Sequence, residues 1–262
     1  MLGLVAGAVA RRQPRDELRL ESAPYRPRTN PSSEIAALLR TDRVGIWRSV
    51  PLRRGLFVLG LTPGAVALAS GLEWEMLTIL PGLVASGGAL LFGVNSWCLD
   101  GRGALWRDSL PVSPKLAFAS RAFVLTEVLL FATMITLVLA SARSGLPTFS
   151  ELVAVLCAAV VVVLQVVSRS LRWSISRPYA VDMRSSRATP APPLVMVGYS
   201  SRLALSTTFT GLLFALTARA GADWSLIMAA PFLLFSAYRL VQAAEAWADP
   251  DSRCRVVSTV AS

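Results

Sequence analysis

Six long apolar runs dominate the pattern of this chain: Gly55 to Ser70, Met76 to Cys98, Leu116 to Ser141, Phe149 to Val167, Leu194 to Ala218 and Trp224 to Gln242. Each has a length that can cross a hydrocarbon core about 30 Å thick. Lipid offers no partner to a backbone N–H or C=O, so these groups must be paired within the run, and each run is predicted to be a helix. The expected fold class is all-α, a polytopic membrane bundle of about six transmembrane helices. Pro63, Pro81 and Pro231 should kink or break the first, second and sixth spans.

The stretch before the first span has a different period. From Ser32 the pattern is helical: Ser32 or Ser33 can cap, Glu34 sits in the first turn, and Ile35, Leu38, Leu39, Ile46 and Trp47 fall mainly on one face, opposite Arg40 and Arg43. Such an amphipathic helix, within 32–54, either lies on the membrane surface or packs on its own protein. Arg11 to Pro31 is charged and holds four prolines, Pro14, Pro24, Pro27 and Pro31, which predicts an irregular linker. Met1 to Ala10 is apolar but too short to cross alone, and its arginines follow the apolar stretch instead of preceding it, unlike a signal peptide. One reading makes it the remnant of an earlier span in a longer ancestor. The expected organisation is an N-terminal segment over 1–31, an interfacial helix over 32–54, a transmembrane domain over 55–242 and a tail over 243–262.

Charge then orients the spans. Arg11 to Arg54 holds eleven arginines, Leu99 to Lys115 three basic residues and Ser168 to Pro193 five, while Arg253 and Arg255 follow the last span. The alternate loops hold none around Glu73 and Glu75, and one each at Arg143 and Arg219. The positive-inside rule places both termini in the cytoplasm of a multi-pass protein of the cell membrane. Trp74 and Trp224 fall at the outer boundaries, where aromatic belts form.

Composition narrows the chemistry. Apolar residues make up 54% and charged residues 16%, too apolar for an ordinary soluble domain. The net charge of +10 would suggest nucleic acid, but the basic residues are confined between the apolar runs, as in membrane proteins, so no nucleic-acid partner is expected. Histidine is absent, which removes the commonest general base and metal ligand. Cys98, Cys157 and Cys254 are too widely spaced for a zinc site or a disulfide framework. No Walker A loop leads to Lys115, the single lysine, and no G-x-S-x-G, H-E-x-x-H or paired-carboxylate motif is present. No catalytic residue, metal site or cofactor is assigned to this chain.

The most distinctive segment is the loop between spans two and three. Asp100-Gly101 and Gly103 make a turn, Ala104 to Leu110 can form about two helical turns, and Pro111 and Pro114 end them. The bland reading is a solvated turn; the functional one is a short, stiff element, anchored by two spans, that can transmit a push from a cytoplasmic partner.

From Leu91-Phe92-Gly93-Val94-Asn95 through Asp100-Gly101-Arg102-Gly103-Ala104-Leu105-Trp106 to Leu110-Pro111-Val112-Ser113-Pro114, and on from Leu116 to Glu127, the sequence resembles the ABC-2-type exporter permeases, in particular their actinobacterial branch. The interfacial helix and the six-span plan with both ends inside share the likeness. The resemblance implies a permease subunit that moves a substrate with energy from a separate ATPase, which would hold the ATP and Mg, and that pairs with a second copy or a second permease. By that resemblance the loop is the ATPase-coupling element, carried here by Asp100, Gly101, Arg102, Trp106, Arg107, Asp108 and Pro111, with Trp106, Arg107 and Asp108 facing the ATPase. The short connection from Arg219 to Asp223 departs from relatives with a helical element between spans five and six, and many relatives in this branch are about twice as long.

Ionisable and polar groups inside the runs are the other candidates, since a charge at mid-bilayer costs about 2.5 to 3.5 kcal/mol or more. Glu127 lies in the third span, Arg121 nearer its end, from where it can snorkel outward, and Arg202 in the fifth span is a possible partner for Glu127. A static pair and a substrate or gating role remain alternatives. Thr207 and Thr210, with Ser206 and Thr208, either line a polar path or hold helices together. Gly60 and Gly64, and Ala85, Ala89 and Gly93, offer faces for close helix contact within the chain or in a dimer. Two other functional readings stand beside the permease: a non-transporting membrane scaffold that docks a cytoplasmic partner through the same loop, and an intramembrane enzyme, for which only Glu127 speaks.

Overall fold

A computed structural model describes residue 29 and residues 31–101, 103–180 and 190–262. The expectations for Met1 to Ala10 and most of the linker to Pro31, and the coupling-loop residue Arg102, lie outside the described residues. Among these residues regular structure is helical throughout: α1 (Glu34–Arg48), α2 (Val50–Ser70), α3 (Trp74–Leu77), α4 (Leu80–Gly88) continuing into a π-helical turn (Ala89–Gly93), α5 (Gly103–Asp108), α6 (Pro114–Ser141), α7 (Phe149–Ser176), α8 (Pro193–Ala220), α9 (Ala222–Ala248) and α10 (Pro250–Ala261). Six helical stretches are long and apolar enough to cross a membrane: Leu52–Ser70, Trp74–Gly93, Pro114–Ser141, Phe149–Ser176, Pro193–Ala220 and Ala222–Ala248. The chain is a multi-pass all-α membrane protein.

Ser33 starts α1 by accepting the Ala36 N–H at 3.4 Å. The helix buries Leu38, Asp42 and Ile46, one residue per turn along one face, against the rest of the protein. This face packs on its own chain, while Trp47 stands on the exposed side. Ser49 breaks the helix in an extended conformation, and α2 begins with a proline in its first turn.

The second span sits deepest in the bundle. It is broken, as Pro81 led one to expect, and its regular helix stops at Gly93, short of the Cys98 that ends the apolar run. The break falls between α3 and α4, where Pro81 in the first turn of α4 lacks an N–H to continue the ladder. Its small residues let neighbours close in: a Cβ on Gly82 would stand 3.2 Å from Thr207, and one on Gly93 would press on Ser170. Ala85 and Ala89 are fully buried. Gly60 and Gly64 of α2 face Ala132 and Thr136 of α6, and the Thr136 hydroxyl donates to the Gly60 carbonyl at 2.7 Å. The small-residue faces foreseen for close contact are thus used within the chain.

α7 and α9 run well past the C-terminal ends of their apolar stretches. α7 continues from Val167 to Ser176 because Ser170, Leu171, Ser174 and Ile175 keep an inward face. α9 runs past Gln242 to Ala248, and Asp249 caps α10 by accepting the Ser252 N–H at 3.0 Å. The stretch expected as a tail is a packed helix that buries Val256, Val257 and Val260.

The bundle has two distinct ends. At one, Trp74 donates from Nε1 to Gly145 O at 3.0 Å, Ser144 donates to Leu72 O at 2.6 Å, and Glu75 pairs with Arg219. At the other, α1, α5 and α10 cover the ends of the spans.

Candidate functional site

The site grows from the turn that follows span two. Gly101 has φ +47, a left-handed conformation that a side chain would strain, and Gly103 N–H donates to Asp100 O at 2.8 Å. This turn reverses the chain into α5, one and a half turns long, whose Ala104 packs inward. Leu105 and Trp106 point away from the protein, 59% and 63% exposed. Pro111, also exposed, lies in the bends that lead to Ser113 and α6.

Arg107, by contrast, turns inward. This corrects the expectation that it would face outward beside Trp106: its side chain is 9% exposed and reaches Asp42 of α1 and Asp100 of the turn. Arg107 Nη2 donates to Asp42 Oδ2 at 3.1 Å, and Nη1 donates to Asp100 Oδ1 at 3.1 Å. Arg121 of α6 completes the group. It donates from Nε to Asp42 Oδ1 at 3.0 Å, from Nη1 to Ser96 O at 2.6 Å and from Nη2 to Asp100 Oδ1 at 2.7 Å. Ser120 donates to Asp42 Oδ2 at 2.6 Å. Two arginines and two aspartates thus form a neutral, hydrogen-bonded cluster that joins α1, the turn, α5 and α6. Arg121 does not snorkel to water; it is 1% exposed, because a guanidinium with five donors finds enough acceptors inside.

The electrostatics follow from this geometry. Burial pushes the Asp42 carboxyl upward, but Arg121 and Arg107, with the hydrogen bonds from Arg107 and Ser120, outweigh it and hold the group below its ordinary range. Burial alone would weaken the charge on Arg107, yet Asp100 and Asp42 raise its pKa above the usual value. Asp42 and Arg107 therefore both stay ionised at neutral pH. Among the described residues no three His, Cys, Asp or Glu side chains gather as a metal ion would need.

Aromatic packing extends the cluster to the end of the chain. The Trp97 ring stacks on Trp247 of α9 with centroids 3.7 Å apart and planes 2° from parallel, and Arg121 lies 5.2 Å from the Trp97 centroid. Asp108 also turns to its own chain, pairing with Arg253 of α10 at 2.8 Å. A cavity of about 60 Å³ lies between α5 and α10, lined by Leu38, Trp97, Arg107, Trp247 and Val257 among others.

The remaining candidates are scattered. Glu127 pairs with Arg43 of α1 at 2.8 Å, not with Arg202, and both side chains are more than 40% exposed. Arg202 lies on the exposed side of α8, facing a cleft shared with α7 and α9. Thr207 is buried and donates to Leu203 O at 3.0 Å, and Thr210 donates to Ser206 O at 2.9 Å and reaches Gln165 Oε1 at 3.3 Å. Both act here as ties within and between helices. Sequence reasoning missed Asp42, Ser96, Ser120, Trp247 and Arg253. Asp42 carried a readable signal, a carboxylate midway between Leu38 and Ile46 on the apolar face of α1. No family model, curated protein or solved structure matches the chain.

Proposed function

We propose that this chain is the transmembrane subunit of an ABC-type exporter, driven by a separate ATPase that docks on α5. The observation that carries the reading is the two-sided build of α5. Its outer side offers Leu105 and Trp106 to a partner, while its inner side is tied through Arg107 to the carboxylates of Asp42 and Asp100. A lever needs both a free face and a stiff root. Displacing α5 must carry α1 and α6 with it or break a buried ionic cluster, so a push would be delivered to the first and third spans as a switch between two packings. The likeness of 91–127 to ABC-2-type permeases supports the same reading. ATP and Mg would be held by the partner, and a second copy or a second permease would complete the path.

The charge distribution supports a cytoplasmic position for α1, α5, α10 and both termini, at the cell membrane. The test is co-purification with an ATPase bearing G-x-x-x-x-G-K-[ST] encoded beside this chain. The double variant Leu105→Ala, Trp106→Ala should lose the complex while the membrane protein stays monodisperse, because it removes only outward side chains. An intact complex would refute the docking site. A scaffold that only docks would leave the ATPase turnover indifferent to Asp42→Asn, whereas a coupled permease should change it.

A further inference from the structure

A second charged region lies outside the α5 cluster. Between α7, α8 and α9 a cleft of about 280 Å³ is lined by Arg169, Arg172, Arg202 and Arg239, with Trp173 and Tyr199 among its other walls. Among the described residues that line it, none is acidic. This sets it apart, since Arg43, Arg107, Arg121, Arg219 and Arg253 each meet a carboxylate. Among the described residues the cleft arginines have only neutral partners. Arg169 donates to the Ser206 hydroxyl, Arg172 donates to Gln242 Oε1, and Arg239 lies over the Phe235 ring at 4.9 Å. Arg202 is exposed and has no partner among the described residues. Trp173 adds a buried indole N–H without an acceptor.

Position along the helices identifies the occupant. At about 1.5 Å per residue, Arg169, Arg202 and Arg239 stand roughly 25–30 Å from the far ends of their helices at Phe149, Ala220 and Ala222. That is where a hydrocarbon core about 30 Å thick gives way to headgroups. Guanidinium groups crowded at this level repel one another, and an anion held between them relieves that repulsion. Guanidinium forks match the oxygens of a phosphate, and the apolar and aromatic walls suit the glycerol and first methylenes of a lipid.

We propose that this cleft binds the phosphate headgroup of an anionic phospholipid, a basic pocket between transmembrane helices at the boundary of one leaflet. The assignment does not depend on the transport reading.

Native mass spectrometry of the full chain released from detergent tests it, with phosphatidylglycerol and phosphatidylcholine supplied as an equimolar pair. Wild type should retain phosphatidylglycerol preferentially. Each arginine near an anionic headgroup contributes about fivefold, so Arg169→Gln with Arg239→Gln should weaken retention roughly thirtyfold. Arg202→Gln, which breaks no described contact and so does not threaten the fold, should weaken it about fivefold. Arg143→Gln at the opposite end should leave it unchanged. Equal retention of the two lipids by wild type, or undiminished phosphatidylglycerol binding by Arg202→Gln and the double variant alike, would overturn the proposal. Displacement of bound lipid by millimolar inorganic phosphate alone would also overturn it, by identifying a free anion as the ligand.

Discussion

Arg121 of α6 and Asp42 of α1 lie 79 positions apart in the chain, yet their side chains meet at 2.8 Å with 1% of each exposed. Removing one member of such a pair leaves its partner's charge buried and unmatched. Asp42→Asn should therefore destabilise the fold by about 3–5 kcal/mol. Thermal unfolding in detergent, compared with wild type, measures it. Glu127→Gln breaks a pair whose side chains are 42% and 43% exposed, so its cost should stay within about 1 kcal/mol. Equal losses in the two variants would contradict the burial argument.

The same carboxylate sets an acid limit. Folded Asp42 ionises below its ordinary value of 3.8, so the unfolded chain takes up a proton first as pH falls. The stabilisation is complete above that value and disappears as pH drops through the depressed one. The difference in unfolding temperature between wild type and Asp42→Asn should be flat from about pH 5 to 8 and shrink toward zero in strong acid. A difference that grew on acidification would have the wrong sign.

Two glycines on one face of α2 should respond differently to the same change. A Cβ on Gly64 would sit 2.8 Å from the Thr136 carbonyl oxygen and 2.9 Å from Leu139 Cβ, both too close, whereas one on Gly60 finds 3.5 Å of ordinary contact. Gly64→Ala must force α2 and α6 apart and should cost about 1–3 kcal/mol. Gly60→Ala should be neutral, or better by up to about 1 kcal/mol through helix propensity. The ratio of folded to aggregated protein on heating reads both.

Cysteine labelling reports topology. Cys254 is exposed on α10, while Cys98 is buried and its thiol is pushed up to about 12, chiefly by burial. Only a thiolate attacks a maleimide, so Cys98 should stay unmodified in the folded protein near neutral pH. A membrane-impermeant maleimide should mark Cys254 only after cells are opened, if the positive-inside orientation holds. Labelling of intact cells would invert the topology.

How much of this could be read from residues alone differs between the spans and the site. The six helices were legible because lipid forces each backbone group to find its partner locally, so a long apolar run has one solution. The break in span two was legible at Pro81. The extension of α7 to Ser176 was not, since serines and arginines dilute its hydropathy while Leu171 and Ile175 still pack inward. In the site, the turn at Asp100-Gly101 and the short α5 carried local signals. The inward course of Arg107 did not, because a surface arginine and a buried one are the same letter until an acid from a distant helix is placed beside it.

Local rules therefore determined that this chain crosses a membrane six times as helices, and which loops hold its positive charge: hydrogen-bond closure and solvation act residue by residue. Tertiary packing alone decided that Asp42, Asp100, Arg107 and Arg121 neutralise one another, that Glu127 meets Arg43 instead of Arg202, and that four arginines share a cleft with no acid among its described residues. Ion pairing depends on distances between helices, and those are set by how side chains of remote segments interlock, a property of the whole bundle that no single stretch contains.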